Sequence, residues 1–242
     1  DGLISYLKST LYNTNGNLSY LGNEVNGQKD GRGSIYLDGK LIFEGEFKQN
    51  KMSGTGTLYW LGGQKLYVGQ WSNDSMNGAG SIYNENGTLL YSDVTMVDNI
   101  IGGKGTYYLD SGWVYQGNLN NGIAYGDGKY YKPNGDLFYE GQLKNFQLDG
   151  LGKVYYDDGS LLYQGEFRNN MANGMGKSYN SAGVLVYEGM FEAGTANGQG
   201  TQYKVDGSIE FKGVFKNGFP VIDKAATQEI GINFSAEPPV LD

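Results

Sequence analysis

The 242-residue chain carries 26 acidic and 18 basic side chains, a formal net charge of −8, and neither Cys nor His. The missing residue types exclude disulfides, thiolate and imidazole metal sites, Ser-His and Cys-His catalysis, and a histidine pH switch. The acidic balance and the lack of any Lys/Arg cluster exclude nucleic acid as a partner and disfavour anionic lipid. Gly contributes 41 residues and Tyr 21, against only 4 Pro, which points to an all-β chain of short strands and tight turns. No apolar stretch approaches the roughly 20 residues of a membrane span. The sequence starts at Asp1 rather than Met and shows no signal peptide. It reads as a trimmed or mature form, leaning toward a bacterial cell envelope setting, membrane-anchored or extracytoplasmic, over the cytoplasm.

Residues 1–8, with apolar Leu3, Ile4 and Leu7, form a lead-in or cap. Ser9–Tyr20 (STLYNTNGNLSY) then matches Gly80–Tyr91 (GSIYNENGTLLY), so the array opens on half a repeat. The next repeat runs from Tyr20-x-Gly22 through Gly31-x-Gly33 to Tyr36, one residue short of the spacing that follows. From there Phe43, Tyr67, Tyr91, Tyr115, Tyr139, Tyr163, Tyr187 and Phe211 succeed one another at steps of 24 residues. Two positions after each ring stands a Gly, and two further on a bulky apolar residue: Phe47, Trp71, Leu119, Leu143, Phe167, Phe191 and Phe215. The second half of each repeat is a Gly-x-Gly with a Tyr three residues later, as in Gly54-x-Gly56 to Tyr59 and Gly150-x-Gly152 to Tyr155.

The repeat beginning at Tyr91 breaks the rule. Asp93 and Thr95 stand where Gly and an aromatic are expected, Gly103-x-Gly105 and Tyr108 arrive one residue late, and the return through Trp113 is shortened. Two readings fit: neutral drift in one repeat, which is the favoured one, or a mid-array bulge that bends the sheet and defines a special partner site at Asp93, Thr95 and Trp113. The array occupies residues 9–219. Residues 220–242 form a capping tail, in which Asp223–Ile230 (DKAATQEI) reads as a short helix stopped by Gly231.

Tyr-x-Gly-x-Phe/Trp followed by Gly-x-Gly and an aromatic resembles the signature of the membrane occupation and recognition nexus (MORN) family. YEGQLKNFQLDGLGKVYYDDG from Tyr139 and YQGEFRNNMANGMGKSYNSAG from Tyr163 match it best, and the resemblance covers about residues 9–219. The 24-residue period looks more like bacterial members. The resemblance implies an elongated scaffold that holds a helix or extended peptide along an aromatic groove, with self-association in some members.

Each repeat reads as two strands with alternating polar and apolar positions. Lys132-Pro133-Asn134-Gly135 suits a three-residue hairpin loop with a Gly bulge. Pairing Tyr131 with Leu137 is expected to put Tyr131, Leu137, Tyr139, Gly141 and Leu143 on one face, with Tyr stacked on Tyr between repeats and each Gly making room for a neighbouring ring. The fold expected is a single-layer, twisted antiparallel meander of eight to nine hairpins, advancing roughly 10 Å per hairpin and about 80 Å in all.

Catalysis would have to rest on Asp, Glu, Lys, Tyr or Ser. The most tempting carboxylate pair, Asp157-Asp158, falls in a hairpin turn, where Asp satisfies turn backbone. The Gly-x-Gly pairs open strands and precede no helix, so they are architecture, not phosphate loops. No cofactor, metal or catalytic residue is indicated. The chain reads as a non-catalytic scaffold for a protein or peptide, with homo-oligomers open to it, and with lipid recognition or cell-wall carbohydrate binding as alternatives. The face expected to bind is lined by Phe47, Tyr59, Trp71, Tyr83, Tyr131, Leu143, Tyr155 and Phe167.

Overall fold

In the computed structural model, residues 7–222 are described, and no helix occurs among them. The helix expected at 223–230 and most of the lead-in and tail lie outside the described residues. The strands follow one another along the chain as consecutive antiparallel hairpins of one 19-stranded sheet. The chain divides into two compact units. One comprises residues up to Tyr108 together with Leu119–Gly122, and the other Leu109–Asn118 together with residues from Ile123 onward.

The first unit contains β1 (Leu7–Tyr12), β2 (Leu18–Val25), β3 (Gln28–Leu37), β4 (Lys40–Lys48), β5 (Lys51–Tyr59), β6 (Lys65–Ser72), β7 (Ser75–Tyr83), β8 (Leu89–Val97) and β9 (Ile100–Tyr108). Strand β10 (Val114–Asn120) contributes residues to both units. The second contains β11 (Ile123–Tyr131), β12 (Leu137–Lys144), β13 (Gln147–Tyr155), β14 (Leu161–Arg168), β15 (Met171–Tyr179), β16 (Leu185–Glu192), β17 (Thr195–Tyr203), β18 (Ile209–Lys216) and β19 (Phe219–Pro220).

Two turn types alternate, and each follows from its residues. The three-residue loop with a Gly bulge is present at Lys132–Asp136, where the Gly135 N–H donates to Lys132 O (2.9 Å) and the Lys132 N–H to Asp136 O (2.9 Å). Pro133 supplies the preset φ of the first loop position, and Gly135 adopts φ 91°. The short repeat has a two-residue turn instead: Leu37 pairs with Lys40 around Asp38 and Gly39, both at positive φ, which accounts for its missing residue.

Two-residue turns also close the other half of each repeat, as at Asn169-Asn170 (φ 50° and 68°). These turns clasp the preceding hairpin. Asn170 N–H donates to Leu148 O (3.0 Å), and its Oδ1 accepts the Leu148 N–H (2.8 Å). Asn50, Asp74 and Asn99 make the same reciprocal pair with Lys29, Met52 and Met76. A net contribution of about 1 kcal/mol per bond makes each clasp a sizeable link between neighbouring repeats.

The core lies on one face and consists of rings. Tyr67, Tyr115, Tyr139, Tyr163 and Tyr187 are fully buried, as are Tyr20 and Phe43 at 1 % exposure. Each ring lies over the glycine pair of its own repeat. A Cβ built on Gly152 would stand 2.4 Å from Tyr139 Oη and 2.5 Å from its ring, and one on Gly141 would strike Gly152 itself. The glycines therefore admit the ring of the same repeat, not a neighbouring one as expected from sequence. Each phenol then donates to the carbonyl three residues on, as Tyr139 does to Gln142 O (2.6 Å) and Tyr163 to Glu166 O (3.0 Å).

Between repeats the rings meet edge to face, and the expected Tyr-on-Tyr stack does not form. Phe191 stands 5.1 Å from Tyr163 at 88° and 5.0 Å from Tyr187 at 84°. Such perpendicular contacts set the positive edge of one ring against the negative face of the other, worth about 0.5–1.5 kcal/mol per pair. By this ladder one face of a single sheet buries itself.

Burial first, and after it the charges of neighbouring carboxylates or tyrosines where they occur, push these phenols upward: Tyr20, Tyr91 and Tyr187 reach about 12, and Tyr115, Tyr139 and Tyr163 also rise. An exposed Tyr titrates near 10. The folded state holds these protons more tightly, so its stability is whole below pH ~10 and is lost as pH climbs toward ~12. Urea unfolding at about pH 8 and about pH 11, read by circular dichroism, should show a clear drop in midpoint at the higher pH. Equal midpoints would contradict this account.

Candidate functional site: the tyrosine-bearing face

The two rows of tyrosines in each repeat go to opposite faces. Opposed residues of an antiparallel pair share a face, and successive residues along a strand alternate. Tyr130 is opposed to Tyr139, but the register then slips, so that Tyr131 is opposed to Leu137. The Tyr131–Leu137 pairing is as expected, yet it places Tyr131 away from Tyr139. The same slip occurs at Leu58/Tyr59 and at Val154/Tyr155. An extra residue inside the return strand, Phe138 between Leu137 and Tyr139, shifts the register by one, and a one-residue shift exchanges the faces; the short repeat with its two-residue turn slips in the same way between Ile35 and Tyr36.

The eight residues expected to line one surface are therefore divided. Phe47, Trp71, Leu143 and Phe167 lie in the ring ladder at 4–5 % exposure. Tyr59, Tyr83, Tyr131 and Tyr155 are half-buried on the opposite face. There the Tyr59 hydroxyl donates to Glu44, and Tyr155 donates to Glu140 (2.7 Å). Burial and the neighbouring carboxylate push both phenols up to about 12. Glu140 is held below the usual carboxylate range, first by the Tyr155 bond and then by Lys129.

The middle row of this face differs between the units. In the second it is a ladder of opposed residues, Lys129, Glu140, Lys153, Gln164, Lys177 and Glu188, closed by ion pairs Lys129–Glu140 (3.1 Å), Lys153–Glu140 (3.4 Å) and Lys177–Glu188 (3.0 Å). In the first, the equivalent row is Ser34, Glu44, Thr57, Val68 and Ser81. Its small side chains leave a groove of about 670 Å³ across β3–β7, with Gly33, Gly45, Gly56 and Gly69 along it. Sequence reading passed over these positions, although the recurring Glu after the ring in Phe43-Glu44, Tyr139-Glu140 and Tyr187-Glu188 was a visible signal.

The mid-array bulge is present in the irregular repeat. Gly80 is opposed to Val94 but Ile82 to Tyr91, and Asp93 takes φ 56°. One extra residue thus turns Val94 and Met96 inward, at 0 % and 1 % exposure, while Asp93 and Thr95 face solvent. Displaced from its glycines, Tyr91 stacks on Tyr107 (4.7 Å, 28°). Trp113 is buried in the second unit, edge-on to Phe138 (5.2 Å, 89°).

Other candidate positions have structural partners. The Gly-x-Gly segments lie inside strands instead of opening them. Gly150 takes φ 106° at a break in the β12–β13 register, and Gln142 Oε1 accepts the Leu151 N–H (2.9 Å) there. Asp157 pairs with Lys132, and Asp158 accepts the Ser160 N–H (2.9 Å) of its own turn. Among the described residues no group of three or more His, Cys, Asp or Glu is placed to hold a metal, and no helix is long and apolar enough to cross a membrane.

Comparison with curated proteins yields no match. The family model for the MORN repeat, however, matches residues 43–65, 67–89, 95–114, 115–137, 139–161, 163–183 and 187–209, more than half of the chain and in phase with the hairpins described above. The irregular copy is matched over residues 95–114, beyond its bulge at Ser92 and Asp93. The chain belongs to the MORN repeat family.

Proposed function

We propose that this chain is a non-catalytic scaffold that binds a partner polypeptide across its strands, on the sheet face that carries Tyr59 and Tyr83 in the first unit or Tyr131 and Tyr155 in the second. One observation supports this reading above the rest. The ring face is sealed by its own side chains, whereas the opposite face presents half-buried tyrosines that no second layer covers among the described residues. Half-buried Tyr rings offer large, rigid contact area with a polar tip, which suits recognition of another chain. Backbone amides and carbonyls are consumed in the sheet ladders, so affinity must come from side chains. Membership in a repeat family of this architecture agrees with a binding role.

The test compares capture from lysate by the intact chain and by a variant with Tyr59, Tyr83, Tyr131 and Tyr155 changed to Ser. These rings lie outside the buried ladder, so the variant should retain its strand signal in circular dichroism. A protein held by the intact chain and lost from the folded variant is the expected result. Equal capture by both would remove the tyrosine face from consideration.

A further inference from the structure

We propose that the groove across β3–β7 of the first unit receives a basic segment of a partner protein, whose Lys or Arg side chain pairs with Glu44. The inference rests on the scaffold reading and narrows it to one site and one partner chemistry.

The two units contain the comparison that carries it. Glu44 and Glu140 occupy the same repeat position, each directly after the buried ring and each accepting a hydrogen bond from a Tyr fifteen residues on. Glu140 stands between Lys129 and Lys153, opposed to it on the flanking strands, and pairs with both. Glu44 stands between Ser34 and Thr57 at the same two places. Among the described residues no cation comes within ion-pair distance of Glu44. Where the second unit supplies its own ammonium groups, the first has a carboxylate in an open groove.

The groove has room for the missing cation and the chain that brings it. Its lining spans five consecutive strands, about 19 Å at the usual strand spacing, enough for roughly six extended residues. Bare glycine backbone and short Ser, Thr, Val and Ala side chains leave it open at about 670 Å³. The second carboxylate of the groove, Glu46, stands opposed to Arg32 and accepts the Thr55 hydroxyl (2.8 Å), so Glu44 is the contact assigned to the cation. The carboxylate of Glu44 is already oriented by Tyr59, which lowers the ordering cost of pairing with an incoming group.

The probe is a fluorescent Lys/Ser peptide, with a Glu/Ser peptide of equal length as its counterpart, followed by anisotropy at low salt. Intact chain should bind the Lys peptide and ignore the Glu peptide. Glu44→Gln should weaken binding by about tenfold. Ser34→Lys with Thr57→Lys, which rebuilds the cis ion pairs of the second unit, should weaken it as much. Glu85→Gln removes the same charge from an exposed turn and should change nothing; circular dichroism confirms folding of every variant.

Equal losses from Glu44→Gln and Glu85→Gln would reduce the effect to overall acidity and overturn the proposal. Full binding by both groove variants would overturn it too. If Glu44→Gln spares the peptide while the tyrosine variant still loses its captured protein, the groove assignment falls and the scaffold stands. If the peptide depends on Glu44 while capture ignores the tyrosines, the groove stands and the tyrosines fall as contacts.

Discussion

Gly152→Ala should destabilise this protein by about 3 kcal/mol, although it adds a single methyl group to an extended position. The Cβ would stand 2.4 Å from Tyr139 Oη and 2.5–2.6 Å from two ring carbons. Tyr139 cannot retreat cheaply, because it is fully buried, edge-on to Phe167 at 5.4 Å, and bonded to Gln142 O. Either the methyl forces the strands apart or the ring leaves its bed, losing burial worth about 1.5–3 kcal/mol together with one hydrogen bond. Gly159→Asn is the comparison: that glycine has φ 80° in an open turn, with nothing within 4 Å of the added Cβ. Asn tolerates such a conformation, so its midpoint in urea should move by less than about 1 kcal/mol. Similar losses for the two variants would show that backbone conformation, not the ring, sets the requirement for glycine at 152.

Phe191→Ala should cost about 3–5 kcal/mol, and the loss should appear locally before it appears globally. Phe191 is 2 % exposed and bridges two repeats, with Tyr163 on one side and Tyr187 on the other. Removing it leaves both rings without the edge-to-face partner they share and opens a cavity in the ladder. Each repeat contacts chiefly its neighbours, so the strands beyond the break, β16 to β19, have only one intact repeat-to-repeat junction to hold them. Hydrogen exchange should show β16–β19 losing protection while β12–β14 keep most of theirs. Uniform loss across the second unit would mean that the repeats unfold as one cooperative block.

Much of this architecture was readable from spacing. A 24-residue period, an alternation of ring, glycine and apolar residue, and Gly-bulge loop residues such as Pro133-Asn134-Gly135 led to antiparallel hairpins with the right loop type and the right Tyr131–Leu137 pairing. Such features are local: turn chemistry and strand alternation act over a few residues and leave their mark in composition. The displaced register around Asp93 was visible for the same reason, since one inserted residue breaks a strict period.

The faces were not readable in the same way. Extending the alternation of Tyr139 and Leu143 back through the turn put Tyr131 beside them, but an extra residue in each return strand, Phe138 and Leu162, slips the ladder by one and sends Tyr131 and Tyr155 to the other side. Half of the expected binding surface, Phe47, Trp71, Leu143 and Phe167, is therefore core. The clasping Asn turns were also missed, because Asn50, Asp74, Asn99 and Asn170 recur only in some repeats and act on strands more than twenty residues away.

Residue order alone settled that this is an all-β MORN array without the side chains for thiol, imidazole or metal chemistry of the Cys/His kind. Periodic glycines and aromatics specify hairpins whatever their surroundings, and a residue type that is absent cannot be supplied by folding. Which rings are core and which stand on the opposite face was settled only when the strands paired. That outcome depends on the sum of bulges along each ladder, and on whether a ring finds a glycine pair beneath it. The open groove at Glu44 has the same origin: only opposed strands reveal that Ser34 and Thr57 stand where Lys129 and Lys153 flank Glu140.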